Sequence, residues 1–174
     1  MKKIALSTLL LIGLSLGVYA GYPVSAYINS TSGLNLLDTG VYVNAGSLLS
    51  ISNQNTDTWT LGISYQEEVN ADGINALDSN IGTYTKDGQT FLLGSMVARI
   101  GNSPYFLVGT SYNQVSNKSG NLFLGCWDHD YLDNSGWITS SIQSTYTFPI
   151  GAPLPSTVPA LFLGSIIPMF FRKK

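Results

Sequence analysis

The 174-residue chain contains one cysteine, one histidine and few basic residues outside its ends. Because Cys126 has no second cysteine to pair with, a disulfide framework within the chain is excluded. Five of the eight lysine and arginine residues lie at the two ends; without them Lys86, Arg99 and Lys118 face all ten acidic residues, a balance of −7. A domain with this negative charge is not expected to bind nucleic acid or anionic membrane surfaces. Its negative charge favours the binding of cations.

The N-terminus has the pattern of a secretory signal. Two lysines precede an apolar run over residues 4–18, and small residues at Val18 and Ala20 suit signal-peptidase cleavage after Ala20. The alternative is an uncleaved membrane anchor, but the run is short for a transmembrane span. We therefore predict a signal peptide over residues 1–20, helical in conformation, and export of the mature protein.

The C-terminus, residues 151–174, has three parts: a proline-rich spacer, an apolar run over 158–171 and a basic end. It resembles the sorting tails of bacterial PEP-CTERM-type proteins, with Ala152-Pro153-Leu154-Pro155 in place of their Val-Pro-Leu-Pro-Ala-like motif. The resemblance implies a transient membrane anchor, a sorting protease and a final location at the bacterial cell surface or outside the cell. The alternative is a C-terminal core strand with a solvated basic end.

The intervening residues 21–150 predict one all-β domain. Short runs rich in β-branched and aromatic residues are separated by Gly, Asn, Asp and Ser, and no stretch outside the signal has a sustained helical period. This spacing is typical of a β-sandwich or jelly roll. Residues 67–89 are polar and predict an extended loop over one end. The predicted strands cover residues 41–43, 48–51, 59–65, 91–100, 105–110, 121–128 and 137–144.

The segment 125–136 concentrates acidic residues between two apolar runs. Asp128, Asp130, Asp133 and Asn134 fall within seven residues. A hard cation such as calcium takes six to eight oxygen ligands, so this pattern predicts a calcium-binding loop between two strands. The alternative is a solvated turn in which the same side chains make local backbone hydrogen bonds.

Three stretches in order resemble the bacterial calcium-dependent galactophilic lectin family, known as PA-IL-like or LecA-like. They are residues 42–51 followed by Trp59, residues 94–103, and residues 122–136. The resemblance implies a galactose-binding-type sandwich in which a bound calcium holds sugar hydroxyls. It implies calcium ligands at Asp128, Asp133 and Asn134, with Asp130 as a substitute for a threonine of the family, and at the backbone carbonyl of Leu61 or Gly62.

A carbohydrate is the partner that this resemblance implies. The predicted sugar-binding residues are Asp128, Asp133 and an adjacent aromatic side chain, Trp127 or Tyr131; a tryptophan in a strand also suits the core. The family's His-Pro-x-Gln stretch is absent, since the only histidine is His129, so galactose specificity is not implied. With that single histidine, no catalytic triad is indicated, and we predict no enzyme.

The alternative function is a structural surface or matrix protein in which calcium only stabilises the loop. A third hypothesis makes Asp128 and Asp133, or Glu67 and Glu68, a pair of hydrolase carboxylates. No pattern in the sequence places either pair across a cleft, and a metal explains the acidic loop better.

Overall fold

Short antiparallel strands make up the part of the chain that the computed structural model describes, residues 18–20, 23–62, 68–74 and 82–147. All of these belong to one unit, Val18–Thr147. Residues 1–17 of the predicted signal peptide and the whole predicted tail over 151–174 lie outside the described residues. Val18–Ala20, which we predicted as the end of a signal helix, form a strand. No described helix is long and apolar enough to cross a bilayer.

The strands are mostly two to seven residues long, and a single 3-10 turn, Ser30–Ser32, interrupts them among the described residues. They are β1 (Val18–Ala20), β2 (Val24–Asn29), β3 (Leu37–Val43), β4 (Leu48–Asn53), β5 (Trp59–Thr60), β6 (Glu68–Val69), β7 (Thr83–Lys86), β8 (Gln89–Leu92), β9 (Met96–Ile100), β10 (Phe106–Leu107), β11 (Ser111–Val115), β12 (Gly120–Cys126) and β13 (Ser135–Thr147).

Two sheets enclose the core. The first has the order β11-β4-β13-β5-β6, with β1 and β2 also paired to β13; the second has the order β10-β9-β12-β3. Alternate residues of each strand point inward, as in β4, where Leu49 and Ile51 are buried and their neighbours are not. The inward side chains of both sheets form one cluster, which confirms the predicted all-β sandwich. Its fully buried members include Ile28, Val43, Leu49, Met96, Leu122, Leu124, Ile138 and Ile142.

The prediction of an extended loop over residues 67–89 is wrong in its last third. Strands β7 and β8 form a hairpin with Lys86 opposite Gln89. Its turn residues have positive φ, 50° at Asp87 and 75° at Gly88. An Asp-Gly pair suits this turn because both residues tolerate the left-handed region, so the dipeptide was a hairpin signal. Residues 63–67 and 75–81 of the same region lie outside the described part.

The predicted strand over residues 91–100 is also divided. Strand β8 ends at Leu92 and β9 begins at Met96. Between them Gly94 has a φ of 77°, and its amide donates to the Trp127 carbonyl at 3.0 Å. A Cβ at Gly94 would lie 2.8 Å from a methyl carbon of Val69. The glycine therefore permits a turn that brings β8 to the end of β12, where the acidic segment begins.

Candidate functional site

The acidic segment connects the end of β12 to the start of β13, and the 3-10 turn Ser30–Ser32 lies beside it. The Ser30 hydroxyl donates to the Gly136 carbonyl at 3.2 Å. In return, the Asn134 side-chain amide donates to the Ser30 carbonyl at 3.4 Å. Ser30 is fully buried, so these two hydrogen bonds attach the loop to the body of the sandwich.

Asp128 is the buried carboxylate of the segment, with 4% of its surface exposed. Its Oδ2 accepts a hydrogen bond from the Asn134 side-chain amide at 2.9 Å. Its Oδ1 accepts one from the Asp130 backbone amide at 3.2 Å and lies 3.5 Å from Nδ1 of the exposed His129. A charge this well buried is costly unless hydrogen bonds or a positive partner compensate for it.

Asn134 carries an unsatisfied acceptor in the same place. The residue is 5% exposed, and its Oδ1 has no hydrogen-bond partner, although its nitrogen donates to Asp128 and Ser30. Leaving a buried polar group unpaired costs about 1–3 kcal/mol, so native structures rarely keep one without a reason. A buried carboxylate bonded to an amide whose oxygen lacks a donor is an arrangement that a cation would complete.

Asp133 brings a second carboxylate to the region, from the exposed side. A Cβ built on Gly62 would overlap the Asp133 carboxylate, so that carboxylate lies directly against the Gly62 backbone. Gly62 has a φ of 85°, and the neighbouring Leu61 is buried. The turn after β5, where the resemblance implies a backbone ligand, is therefore adjacent to Asp133.

Asp130 and Tyr131 form the outer part of the loop. Asp130 is exposed, and its backbone amide is already bonded to Asp128. The Tyr131 ring packs on Gly33, where a Cβ would overlap it, and its hydroxyl accepts a hydrogen bond from the Asn35 side chain at 3.0 Å. Tyr131 as a whole is half-buried.

Trp127 is placed away from this surface, and the prediction that it contacts a sugar is corrected. It is fully buried, and its indole nitrogen donates to the Tyr84 carbonyl at 2.8 Å. It forms a second cluster with Val97 and Tyr105 on the other side of the second sheet, beneath the β7–β8 hairpin. A side chain without an exposed face cannot stack on a sugar.

The groups that the structure places at the Asp128 carboxylate are the Asn134 side-chain amide, the Asp130 backbone amide and the His129 ring. Within the described residues, no three Asp, Glu, His or Cys side chains gather as a metal cluster. A cation would therefore depend on the Asp128 and Asp133 carboxylates together with the Asn134 amide oxygen and backbone carbonyls. Calcium accepts such mixed oxygen ligands, whereas zinc favours nitrogen and sulfur.

The comparisons with known proteins find likenesses among solved structures only. No protein-family model matches the chain, and no curated protein matches it. Among solved structures, it is similar to a chain described as the EclA N-terminal domain, a PllA-like lectin, with 23% sequence identity and a TM-score of 0.49. The match covers 71% of this chain and 95% of that chain. A likeness at this level carries no functional argument.

Sequence reasoning missed the residues that position the loop. Ser30 and Gly33 come from the β2–β3 connection, and Gly62 follows β5, all distant in sequence from Asp128. The sequence Asn-Ser-Thr-Ser-Gly at residues 29–33 indicates a turn, but it does not indicate what the turn contacts. Gly62 was considered only as a possible carbonyl ligand, not as the glycine that admits the Asp133 side chain.

Cys126 lies next to this region but takes no part in it. Burial raises the pKa of its thiol well above the ordinary value, and the nearby charge of Asp128 raises it further. The thiol is fully buried. It therefore stays protonated and contributes as a small core side chain.

Proposed function

We propose that this protein is an exported, calcium-dependent carbohydrate-binding protein whose cation is held by the segment between β12 and β13. The single observation that carries the proposal is that the buried Asn134 Oδ1 has no hydrogen-bond partner. The nitrogen of the same side-chain amide donates to the buried Asp128 carboxylate. The Asp128 carboxylate has hydrogen-bond donors, whereas no described group donates to Asn134 Oδ1.

The proposed calcium ligands lie at two depths in the protein surface. Asp128 and Asn134 would supply buried oxygens, and Asp133 would supply a carboxylate from the exposed side, next to the turn at Gly62. Calcium, when bound, accepts further oxygens and so can hold adjacent sugar hydroxyls. Asp133 would accept hydrogen bonds from those hydroxyls, and the Tyr131 ring would border the sugar.

Location and processing follow from the two ends of the chain. The signal-like N-terminus supports export, and the tail over residues 151–174 supports transient anchoring in a membrane before a sorting protease releases the protein or attaches it to the surface. Both steps belong to the same proposal, because a surface lectin has to reach the outside of the cell.

The experiment is isothermal titration calorimetry of calcium into the purified protein, beside the Asp128→Asn and Asp133→Ala variants. We expect one binding event in the native protein, lost in Asp128→Asn and weakened or lost in Asp133→Ala. Asp87→Asn is the matched control, because it removes one carboxylate from the turn of the β7–β8 hairpin, where an asparagine also tolerates the positive φ. No calcium binding by the native protein contradicts the proposal.

A second titration separates a lectin from a structural protein. Galactose, fucose and mannose are added to the calcium-loaded protein and then to protein treated with a chelator. A heat of sugar binding that is present with calcium and absent after chelation supports carbohydrate binding at this loop. Calcium binding without any sugar signal would instead support the structural alternative, in which the cation only stabilises the connection between the strands.

A further inference from the structure

The outer face of the first sheet is built from aligned hydroxyl and amide side chains. Ser52 of β4 lies opposite Ser111 of β11 on one side and Ser141 of β13 on the other, and Ser141 lies opposite Ser25 of β2. Four serines thus form one row across four adjacent strands. Their chain neighbours Asn53 and Ser140 are buried toward the core, so the serine row faces outward.

A second row lies two residues away from the first on three of these strands, β11, β4 and β13. Ser50 lies between Asn113 and Gln143. Members of both rows line a depression of about 260 Å³ together with Pro23, Ile51 and Tyr112. This volume lies just below the roughly 300–1,000 Å³ typical of small-molecule sites, and it suits one ring of a longer ligand.

Two exposed aromatic side chains continue this face toward the start of β13. Tyr27 is 68% exposed and Trp137 is 58% exposed. Tyr27 lies opposite Thr139 and Trp137 lies opposite Asn29, so the rings project from the same face on neighbouring strands. Such diagonal neighbours are about 7–8 Å apart. From Trp137 to Gln143 the face extends about 20 Å at 3.4 Å per residue.

The outward positions of these four strands carry no charged residue, although the mature domain has a balance of −7 from three basic and ten acidic residues. The negative field of the domain disfavours an anionic ligand, and the face has no cation to attract one. Hydroxyl and amide groups both donate and accept hydrogen bonds, and exposed rings offer flat apolar surfaces. A neutral, hydroxyl-rich chain with flat apolar ring faces matches all three features.

We propose that this outer face binds an uncharged polysaccharide chain, independently of calcium. The sugar rings would stack on Trp137 and Tyr27, and the hydroxyl groups of the next ring would occupy the depression at Ser52 and Ser141. None of the loop residues Asp128, Asp130, Asp133 and Asn134 lies on this face. The inference therefore goes beyond the calcium site and does not depend on it.

Affinity electrophoresis tests the proposal, with the full-length chain run through native gels containing hydroxyethyl cellulose, xyloglucan or galactomannan. Polygalacturonate, an anionic polymer, is run in parallel. We expect at least one neutral polymer to retard the protein equally with and without EDTA, and polygalacturonate to leave it unretarded. Trp137→Ala should weaken the retardation about tenfold, as the loss of one stacked aromatic contact requires. Ser52→Gln, which fills the depression, should also weaken it.

Tyr42→Ala is the matched control, because Tyr42 is 57% exposed and lies on β3 of the other sheet. Its retardation should equal that of the native protein. The proposal is overturned if no neutral polymer retards the native protein, if EDTA abolishes retardation, or if Trp137→Ala and Ser52→Gln bind normally. It is also overturned if light scattering shows that Trp137→Ala converts a dimer to a monomer, since the face would then join two copies.

Discussion

The Asp133 carboxylate lies against the backbone of Gly62, at a point where any β-carbon would overlap it. Gly62 also has a φ of 85°, a conformation that L side chains rarely adopt. Glycine therefore suits this position for two reasons. The turn after β5 has a positive φ here, and the Asp133 carboxylate occupies the space that a β-carbon would fill. The arrangement joins a turn from the first half of the domain to the loop that precedes its last strand.

Gly62→Ala should therefore destabilise the protein more than a φ penalty alone, and it should weaken calcium binding by displacing Asp133. Gly88→Ala is the control, because Gly88 has a φ of 75° but nothing lies within 4 Å of an added β-carbon. We expect a cost of about 1–2 kcal/mol for Gly88→Ala and a larger cost for Gly62→Ala in urea unfolding. Equal costs would show that the contact with Asp133 is unimportant.

Calcium should stabilise the folded protein, since it would bind the native loop and not the unfolded chain. At a free concentration about 100 times the dissociation constant, the gain is about 2.7 kcal/mol, which corresponds to a rise of roughly 10 °C in the melting temperature for a domain of this size. The shift should disappear in Asp128→Asn and persist in Asp87→Asn. Thermal melting with calcium and with EDTA provides the measurement. If calcium raised the melting temperature of Asp128→Asn as much as that of the native protein, the Asp128 carboxylate would be excluded as a ligand.

Trp127 and Trp137 should respond in opposite ways to truncation. Trp127 is fully buried, with rings of Tyr84, Phe91 and Tyr105 between 5.1 and 5.6 Å from its own. Trp127→Ala should therefore cost about 3–5 kcal/mol. Trp137→Ala, at an exposed site, should stay within about 0.5 kcal/mol of the native protein. Urea unfolding of both variants tests this contrast, and a small cost at Trp127 would contradict its place in the core.

The Cys126 thiol should be unreactive in the folded protein. Because burial raises its pKa above the ordinary value of 9.0, the folded state holds the proton where the unfolded chain begins to lose it. Its contribution to stability is therefore complete below about pH 9 and is lost as the pH rises toward the folded pKa. Labelling with a thiol reagent at pH 8 should require unfolding. In the Cys126→Ser variant, the part of the alkaline loss of stability that comes from the thiol should disappear.

The sequence alone was sufficient for the class of fold, because β-branched and aromatic runs between turn residues leave few alternatives to a sandwich. It also located the acidic loop, since Asp128, Asp130, Asp133 and Asn134 are neighbours in the chain and their proximity needs no tertiary structure. The predicted strand over residues 121–128 also covers most of β12, Gly120–Cys126.

Tertiary structure decided which of those neighbours are buried together and what they contact. The Asn134 amide bonds to both Asp128 and Ser30, whereas Asp133 turns outward against Gly62, and the acidic composition of the loop does not show these contacts. Trp127 and Trp137 likewise look alike in sequence, yet one is in the core and the other on a polar sheet face. The physical reason is that pairing between distant strands sets which face a residue occupies, and a shift of one position reverses it.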